Sequence, residues 1–346
     1  MFIFCDGCDS YVVTADLTKR WATAGAAWSF GGAASGKFAG GSISVSATTG
    51  AALVSSAWPV TAAVNQMVGF WFKAAAIPSA SQLLLELDGA SATSGLLYVD
   101  NAGHLFGRIG APTGTALIPT TLINVCDGSW HWIEVQFGST GQFNTYVDGV
   151  ACGLISGGGV TIGVVQVQLW PTGVAMNIDD LIIWDATPSN LNTGTANQSF
   201  GTYPIGPRQI STLRPTSDAS VQFATTVGGS GGTHFSTLDE VSPDGDTSYC
   251  QDATSGHQDT LGFADLSYVP AVINSVILSA YLKLGVPGSI NNTLVAVSGS
   301  TTGPSASQAT PSAYALRQVN YDADPATTTF WAAAAVNAAT FGYKNS

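Results

Sequence analysis

An all-β chain is predicted: an antiparallel β-sandwich over residues 1–195, a linker at 196–207 and a smaller β-rich module over 208–346. Three observations predict it. Trp132, Glu134 and Gln136 alternate with Ile133, Val135 and Phe137, the period of two that sends one set of side chains into a core and the other outside. A second run, Phe143–Val147, stops at Asp148-Gly149 and resumes at Val150, and an Asp-Gly pair flanked in this way is a strong hairpin signal. Nowhere in the first domain do apolar residues keep the helical period of about 3.6 residues over three turns.

Taken in order, the strands of the first domain are expected at Met1–Cys5, Ser42–Ala47, Val68–Lys73 and Leu83–Leu87, the last ended by a turn at Asp88-Gly89. Leu96–Val99 and His104–Arg108 are joined by Asp100-Asn101-Ala102-Gly103, all turn residues. Val164–Trp170 alternates again, and Ile178–Asp185 is a late apolar strand. Helical turns are expected only at Leu17–Trp21 and Pro188–Leu191. Ile133, Val135, Val147 and Leu181 are the expected core, with Trp184 buried beside them. The linker is poor in apolar residues and carries Pro204 and Pro207. Beyond it lie Ile210–Leu213, Ser220–Phe223 and a Gly-rich loop, Val227–Gly232. The run Ala271–Lys283 has two Val, two Ile and a Tyr, which tilt it to strand over helix. An Ala-rich stretch after Trp331 predicts a helix of two or three turns before a final strand.

Composition narrows function. Charged residues are 9% of the 346, far below the roughly 25% of an average domain, while hydrophobic residues reach 45%. Such a chain folds, and its charge-poor surface suits burial in an assembly. The net charge is −12, with no basic run, which excludes nucleic-acid binding through clustered Lys and Arg. No apolar span of about 18 residues exists for a membrane helix. The opening Met1–Asp6 lacks the basic leader and long apolar core of a signal peptide, so cytoplasmic assembly is expected.

The strand opening on Trp130-His131, the Asp148-Gly149 hairpin and the late Ile178-Asp179-Asp180-Leu181 strand resemble the concanavalin A-like or laminin G-like sandwich over residues 1–190. A wider resemblance rests on Cys5-Asp6-Gly7-Cys8-Asp9-Ser10-Tyr11 with Asp16-Leu17, on the Gly-rich Gly36–Ser46, and on Leu213–Phe223 with Leu238–Leu266. Together these are similar to virion structural proteins of tailed bacteriophages. The resemblance implies a non-enzymatic virion component assembled in the host cytoplasm, a tail fibre or fibre-anchoring subunit. Its partners would be other virion proteins, copies of itself and host surface glycan. A capsid decoration or cement protein is the alternative in the same particle, and a carbohydrate-binding adhesin module is the alternative of another class.

The chemistry-bearing residues point away from catalysis. A glycoside hydrolase needs two carboxyls held roughly 5 to 9 Å apart, and in the hydrolases that this fold resembles they lie in a Glu-x-Asp-x-Glu string. Leu85-Glu86-Leu87-Asp88-Gly89 lacks the second Glu. Gly228–Gly232 matches Gly-x-Ser-x-Gly without a strand-to-helix context. Five cysteines, Cys5, Cys8, Cys126, Cys152 and Cys250, are an odd number in a long chain and do not suit a disulfide framework. Cys5 and Cys8 lack the second pair that a zinc tetrahedron needs, and pack better as small hydrophobes. No cofactor is expected. Calcium is the ion for which oxygen ligands are present, at Asp179 and Asp180 or at Asp244 and Asp246, although turn capping explains both pairs as well. The second pair opens like an EF-hand loop but has Tyr249 where Gly is needed and Ser255 where Glu is needed. The glycan-contact candidates are Trp130 and Trp170, which stand at strand ends where indole faces can stay open.

Overall fold

The computed structural model describes all residues except 1, 33, 39, 60–64, 89–93, 111–115, 118–120, 138–142, 156–163, 186–203, 230 and 286–289. The turn at Pro188–Leu191, residues 196–203 of the linker, and Gly89 and Ser230 of the two loops lie outside the described residues. The chain divides into two units, Met1–Thr187 with Thr202–Ile210, and Pro188–Gly201 with Ser211–Ser346.

The first unit is an antiparallel two-sheet sandwich, as the alternation predicts. Its first sheet runs Val150–Ile155, Phe143–Val147, His131–Phe137, Gln66–Ala74, Met176–Asp185, Ile43–Val45, Trp28–Phe30, with Phe2–Asp6 also paired to Met176–Asp185. The second runs Ala116–Leu117, Leu105–Gly110, Ser94–Val99, Gln82–Asp88, Val164–Leu169, Leu53–Val54, Thr23–Ala24, with Trp58–Pro59 paired to Val164–Leu169. Ile133, Val135, Val147, Leu181 and Trp184 are all fully buried. Thr14–Lys19 is a 3-10 turn near the expected helical turn.

Two hairpins show why the turns form where they do. Asp148 and Gly149 both take positive φ, 52° and 81°, the backbone of the two-residue turn that matches strand twist. The Asp148 carboxylate then accepts the Trp132 amide at 2.8 Å and pairs with His131 Nδ1 at 2.8 Å, tying the tip to the neighbouring strand. At the other hairpin Asp100 Oδ1 accepts the amides of Ala102 and His104, both at 2.8 Å, and Gly103 supplies a φ of 82°.

One face of the first sheet differs from the alternation. Every residue of His131–Phe137 is buried, including Trp132, Glu134 and Gln136, which the period of two places outside. At Glu134 the cover is the segment 204–210. Glu134 Oε1 accepts the Trp132 indole at 2.7 Å, its Oε2 accepts the Ile205 amide at 2.9 Å, and the Trp71 indole donates to the Arg208 carbonyl at 2.7 Å. The described end of the expected linker, 204–207, is thus held on the first unit by a carboxylate and an indole that need those partners once buried.

The second unit is also β-rich. A six-stranded sheet runs Pro215–Ser220, Gln258–Phe263, Thr340–Asn345, Asn291–Ser298, Thr301–Pro304, with Gln308–Ala309 also on Asn291–Ser298. Two ribbons accompany it, Thr225–Val227 with Tyr249–Gln251 and Val276–Leu282 with Ala315–Tyr321. The run around Val276–Leu282 is a strand, as its β-branched content predicts. The first strand starts at Pro215 and ends at Ser220, ahead of Val221–Phe223, because the Asp259 carboxylate takes the Gln222 and Phe223 amides at 2.7 and 2.9 Å. The Ala-rich helix is a single six-residue segment, Ala333–Ala338, shorter than the two to three turns expected, because Ala339 is already extended toward the last strand. Leu294, Val319, Tyr321, Trp331, Val336 and Phe341 form the core.

Candidate functional site

The outer face of the second sheet gathers the polar and aromatic side chains that the core does not use. On Ser94–Val99, Leu97 and Val99 point inward and are fully buried, which turns Tyr98 outward. On Leu105–Gly110 the same alternation turns Phe106 and Arg108 outward, half-exposed, while Gly107 faces the core. The hairpin register sets Tyr98 opposite Phe106, and their rings stack at 5.1 Å between centroids and 16° between planes. The Arg108 guanidinium lies 5.5 Å from the Tyr98 centroid and 5.7 Å from that of Phe106. Glu86 and Gln168 lie farther along: Arg108 pairs with Leu96, which is buried, Leu96 with Glu86, and Glu86 with Gln168 across four adjacent strands. The result is two stacked rings beside a cation, a carboxylate and an amide, a set able to hold an apolar ring face and hydrogen-bond its hydroxyls.

The two tryptophans expected at a glycan surface are attached to different sheets. Trp130 precedes His131–Phe137 of the first sheet and is half-buried, with the Lys73 ammonium 6.0 Å from its ring. Trp170 follows Val164–Leu169 of the second sheet, its amide donating to the Leu84 carbonyl at 2.9 Å. Its indole nitrogen is buried with no hydrogen-bond partner. Most other tryptophans are core: Trp21, Trp28, Trp132 and Trp184 are among the largest fully buried side chains.

Asp179 and Asp180 sit at a bulge where Met176–Asp185 loses register with Gln66–Ala74. Both are buried, and Asp180 has a φ of 49°, in the left-handed region that Asp and Asn tolerate better than most residues. Asp6, also buried, lies near them and accepts from the Cys8 amide, the Tyr11 hydroxyl and the Trp21 indole. Asp179 Oδ2 accepts the Lys37 amide at 2.7 Å and its Oδ1 the Asp180 amide at 2.8 Å. Asp9 accepts the Gly41 amide at 2.9 Å. The resemblance motif's Gly40 is needed here, since a Cβ would fall 1.9 Å from Asp9 Oδ1 and φ is 80°. Burial, with the charges of Asp9 and Asp6, raises the Asp179 carboxyl to about 7. Burial, and then the charge of Asp179, pushes Asp180 up as well. Calcium takes about six to eight oxygens around one point. Both oxygens of Asp6, Oδ1 of Asp9 and both oxygens of Asp179 accept from amide, hydroxyl or indole donors.

Asp244 and Asp246 take different partners. Asp244 Oδ1 accepts from the Ser248 amide at 3.0 Å, a turn cap, and Ser248 Oγ also bonds Glu240. Asp246 pairs with Lys283 Nζ at 2.5 Å and accepts from Tyr314 at 3.0 Å, and these bonds hold its carboxyl below the ordinary range. Cys5 and Cys8 are buried, and Cys8 Sγ donates to the carbonyls of Asp6 and Ile178 at 3.9 and 3.8 Å.

No protein-family model matches the chain, and no curated protein matches its sequence. Among solved structures it is similar to the binding domain of Paraclostridial Mosquitocidal Protein 1, at 10% identity and a TM-score of 0.36 over 47% of this chain and 43% of that one. It is similar to Cellulose induced protein, Cip1, at 11% identity and a TM-score of 0.41 over 53% of this chain and 97% of that one. Domain 4 of AbnA, an extracellular arabinanase from Geobacillus stearothermophilus in complex with arabinotriose, gives 16% identity and a TM-score of 0.36 over 46% and 75% of the two chains. The chain spans less than half of the mosquitocidal protein's domain and 25% of a Trypanosoma rangeli sialidase. The fold class rests on the strands and their pairing described above.

Proposed function

We propose that the chain is a non-enzymatic binding protein whose sandwich holds carbohydrate on the outer face of its second sheet. The observation that carries this reading is the Tyr98–Phe106 stack with Arg108 against it, in a chain that has few charged residues to place anywhere. Sugars present apolar C–H faces and in-plane hydroxyls, and this face offers rings for the first and Arg108, Glu86 and Gln168 for the second. Catalysis has less support: Glu134 spends both carboxylate oxygens on Trp132 and Ile205. Binding of the full chain to a panel of soluble oligosaccharides, measured by titration calorimetry, tests the reading. Tyr98→Ala or Phe106→Ala should weaken the bound sugar by roughly tenfold or more, and Arg108→Lys, which keeps the cation but loses the planar fork, by less. Binding unchanged in both aromatic variants defeats it.

A second observation favours a role in a particle. Val269, Val272 and Phe330 are exposed in the second unit, Val269 at 84%, and Val272 and Phe330 adjoin the Ile273–Trp331 bridge. Apolar exposure on a charge-poor chain suits contact with neighbours. With the sequence resemblance, this supports a tail fibre or fibre-anchoring subunit in several copies, carrying the sugar-binding face toward the host. A capsid decoration protein would use the same contacts at another place.

A further inference from the structure

Three metal-ligating side chains of the second unit come together from segments that are separate in sequence. His234 precedes the 3-10 turn Phe235–Thr237, Cys250 lies in Tyr249–Gln251, and Asp259 lies in Gln258–Phe263. One ligand atom from each lies within 4.8 Å of the others, the only such group of His, Cys, Asp or Glu among the described residues. Each residue is held in place by bonds that leave a donor facing the group. Asp259, fully buried, gives Oδ1 to the Gln222 and Phe223 amides, so Oδ2 faces His234 Nδ1 at 2.6 Å and the Tyr343 hydroxyl at 3.2 Å. His234 is fixed through its backbone: Asp218 accepts the His234 amide at 3.2 Å and the Phe235 amide at 2.7 Å. Cys250 is a free, half-buried thiol on a strand that pairs Thr226 opposite it.

The structure assigns these residues to a zinc-type site, with a ring nitrogen of His234, Sγ of Cys250 and Oδ2 of Asp259 as three ligands of a tetrahedral ion. The donor set selects the metal. Calcium and magnesium take oxygen ligands, whereas a thiolate, an imidazole and a carboxylate together suit a borderline-soft divalent ion such as zinc. Three protein ligands leave a fourth position for water, the count of an open site. The alternative for Cys, His and Asp in contact is a thiol nucleophile, which needs a cationic setting that lowers its pKa. Here the thiol lies among carboxylates, Asp259, Asp218 and Glu240, and its Sγ stands 4.0 Å from the His234 carbonyl oxygen. A divalent cation entering the group would displace the thiol proton and offset those carboxylates.

Cobalt(II) is the probe, because a thiolate ligand gives it a near-ultraviolet charge-transfer band. The full chain, freed of metal with a chelator and titrated with cobalt(II), should show that band saturating at one ion per chain, and zinc should displace it. Cys250→Ser should remove the band, and His234→Ala should weaken zinc binding by roughly tenfold or more, since even outer partners of a metal site are worth that much. Cys126→Ser, in the first unit, should leave both unchanged. No band in the unaltered chain overturns the assignment, and so does a band that survives Cys250→Ser.

Discussion

The ring of Phe143, from the first sheet, occupies the space where Gly107 of the second sheet lacks a side chain: a Cβ there would lie 2.5 Å from two ring carbons. Gly95 makes the same room for Phe137, whose ring meets Phe143 at 6.3 Å. The sheets interlock at this point through absent atoms as much as present ones, and Gly107 has no need of glycine for its backbone, since it is not among the glycines with positive φ. Gly107→Ala should therefore destabilise the first unit by packing alone, by about 1 to 3 kcal/mol. Thermal melting checks this, and adding Phe143→Leu should recover part of the loss.

The buried pair Asp179 and Asp180 sets a pH dependence of definite sign. Both carboxyls hold protons more readily in the folded chain than in the unfolded one, Asp179 up to about 7 against an ordinary 3.8. The folded state therefore binds more protons across that window, and the stability this contributes is fully present below about pH 4 and lost as pH rises through 7. The first unit should melt higher at pH 5 than at pH 8. Asp180→Asn keeps a residue that tolerates the left-handed backbone and removes one buried charge, so it should raise stability at pH 8 and flatten the slope. Calcium bound at these carboxyls would reverse the sign and make the melt sensitive to chelator.

Self-association should depend on the exposed apolar residues of the second unit. Trp331 is buried, its indole donating to the Tyr321 carbonyl at 2.9 Å. Its neighbour Phe330 is exposed. Light scattering of the full chain should show oligomers that Val269→Ser with Phe330→Ser shifts toward monomer without lowering the melting temperature. Monomer at every concentration in the unaltered chain would count against assembly through this unit.

Much of the first unit was legible because its turns carry their own chemistry. Asp148-Gly149 and Asp100–Gly103 mark two hairpins, but counting back from the second sets Tyr98 opposite Leu105, one residue short of its observed partner Phe106. Tryptophan content is a poor guide to that pair, since Trp132 and Trp184 are core. What alternation alone does not carry is cover from a distant segment: Glu134 and Trp71 are buried by residues 204–210, more than 70 positions along the chain from Glu134. The grouping of His234, Cys250 and Asp259 was hidden for a related reason. Their spacing matches no ligand motif, and only the pairing of Thr225–Val227 with Tyr249–Gln251 and the fold of the main sheet bring them together.

Among the described residues the strand Phe2–Asp6 pairs with Met176–Asp185, with Phe4 beside Ile183. During synthesis, at about 5 to 20 residues per second, Phe2, Phe4 and Cys5 wait roughly 10 to 40 seconds for that strand to be made. For this interval an apolar edge is open to any other nascent copy, and copies made on one message are close together. Closure of the sandwich is thus a race between intramolecular pairing and pairing between neighbours, one that chaperone binding at the first residues would decide.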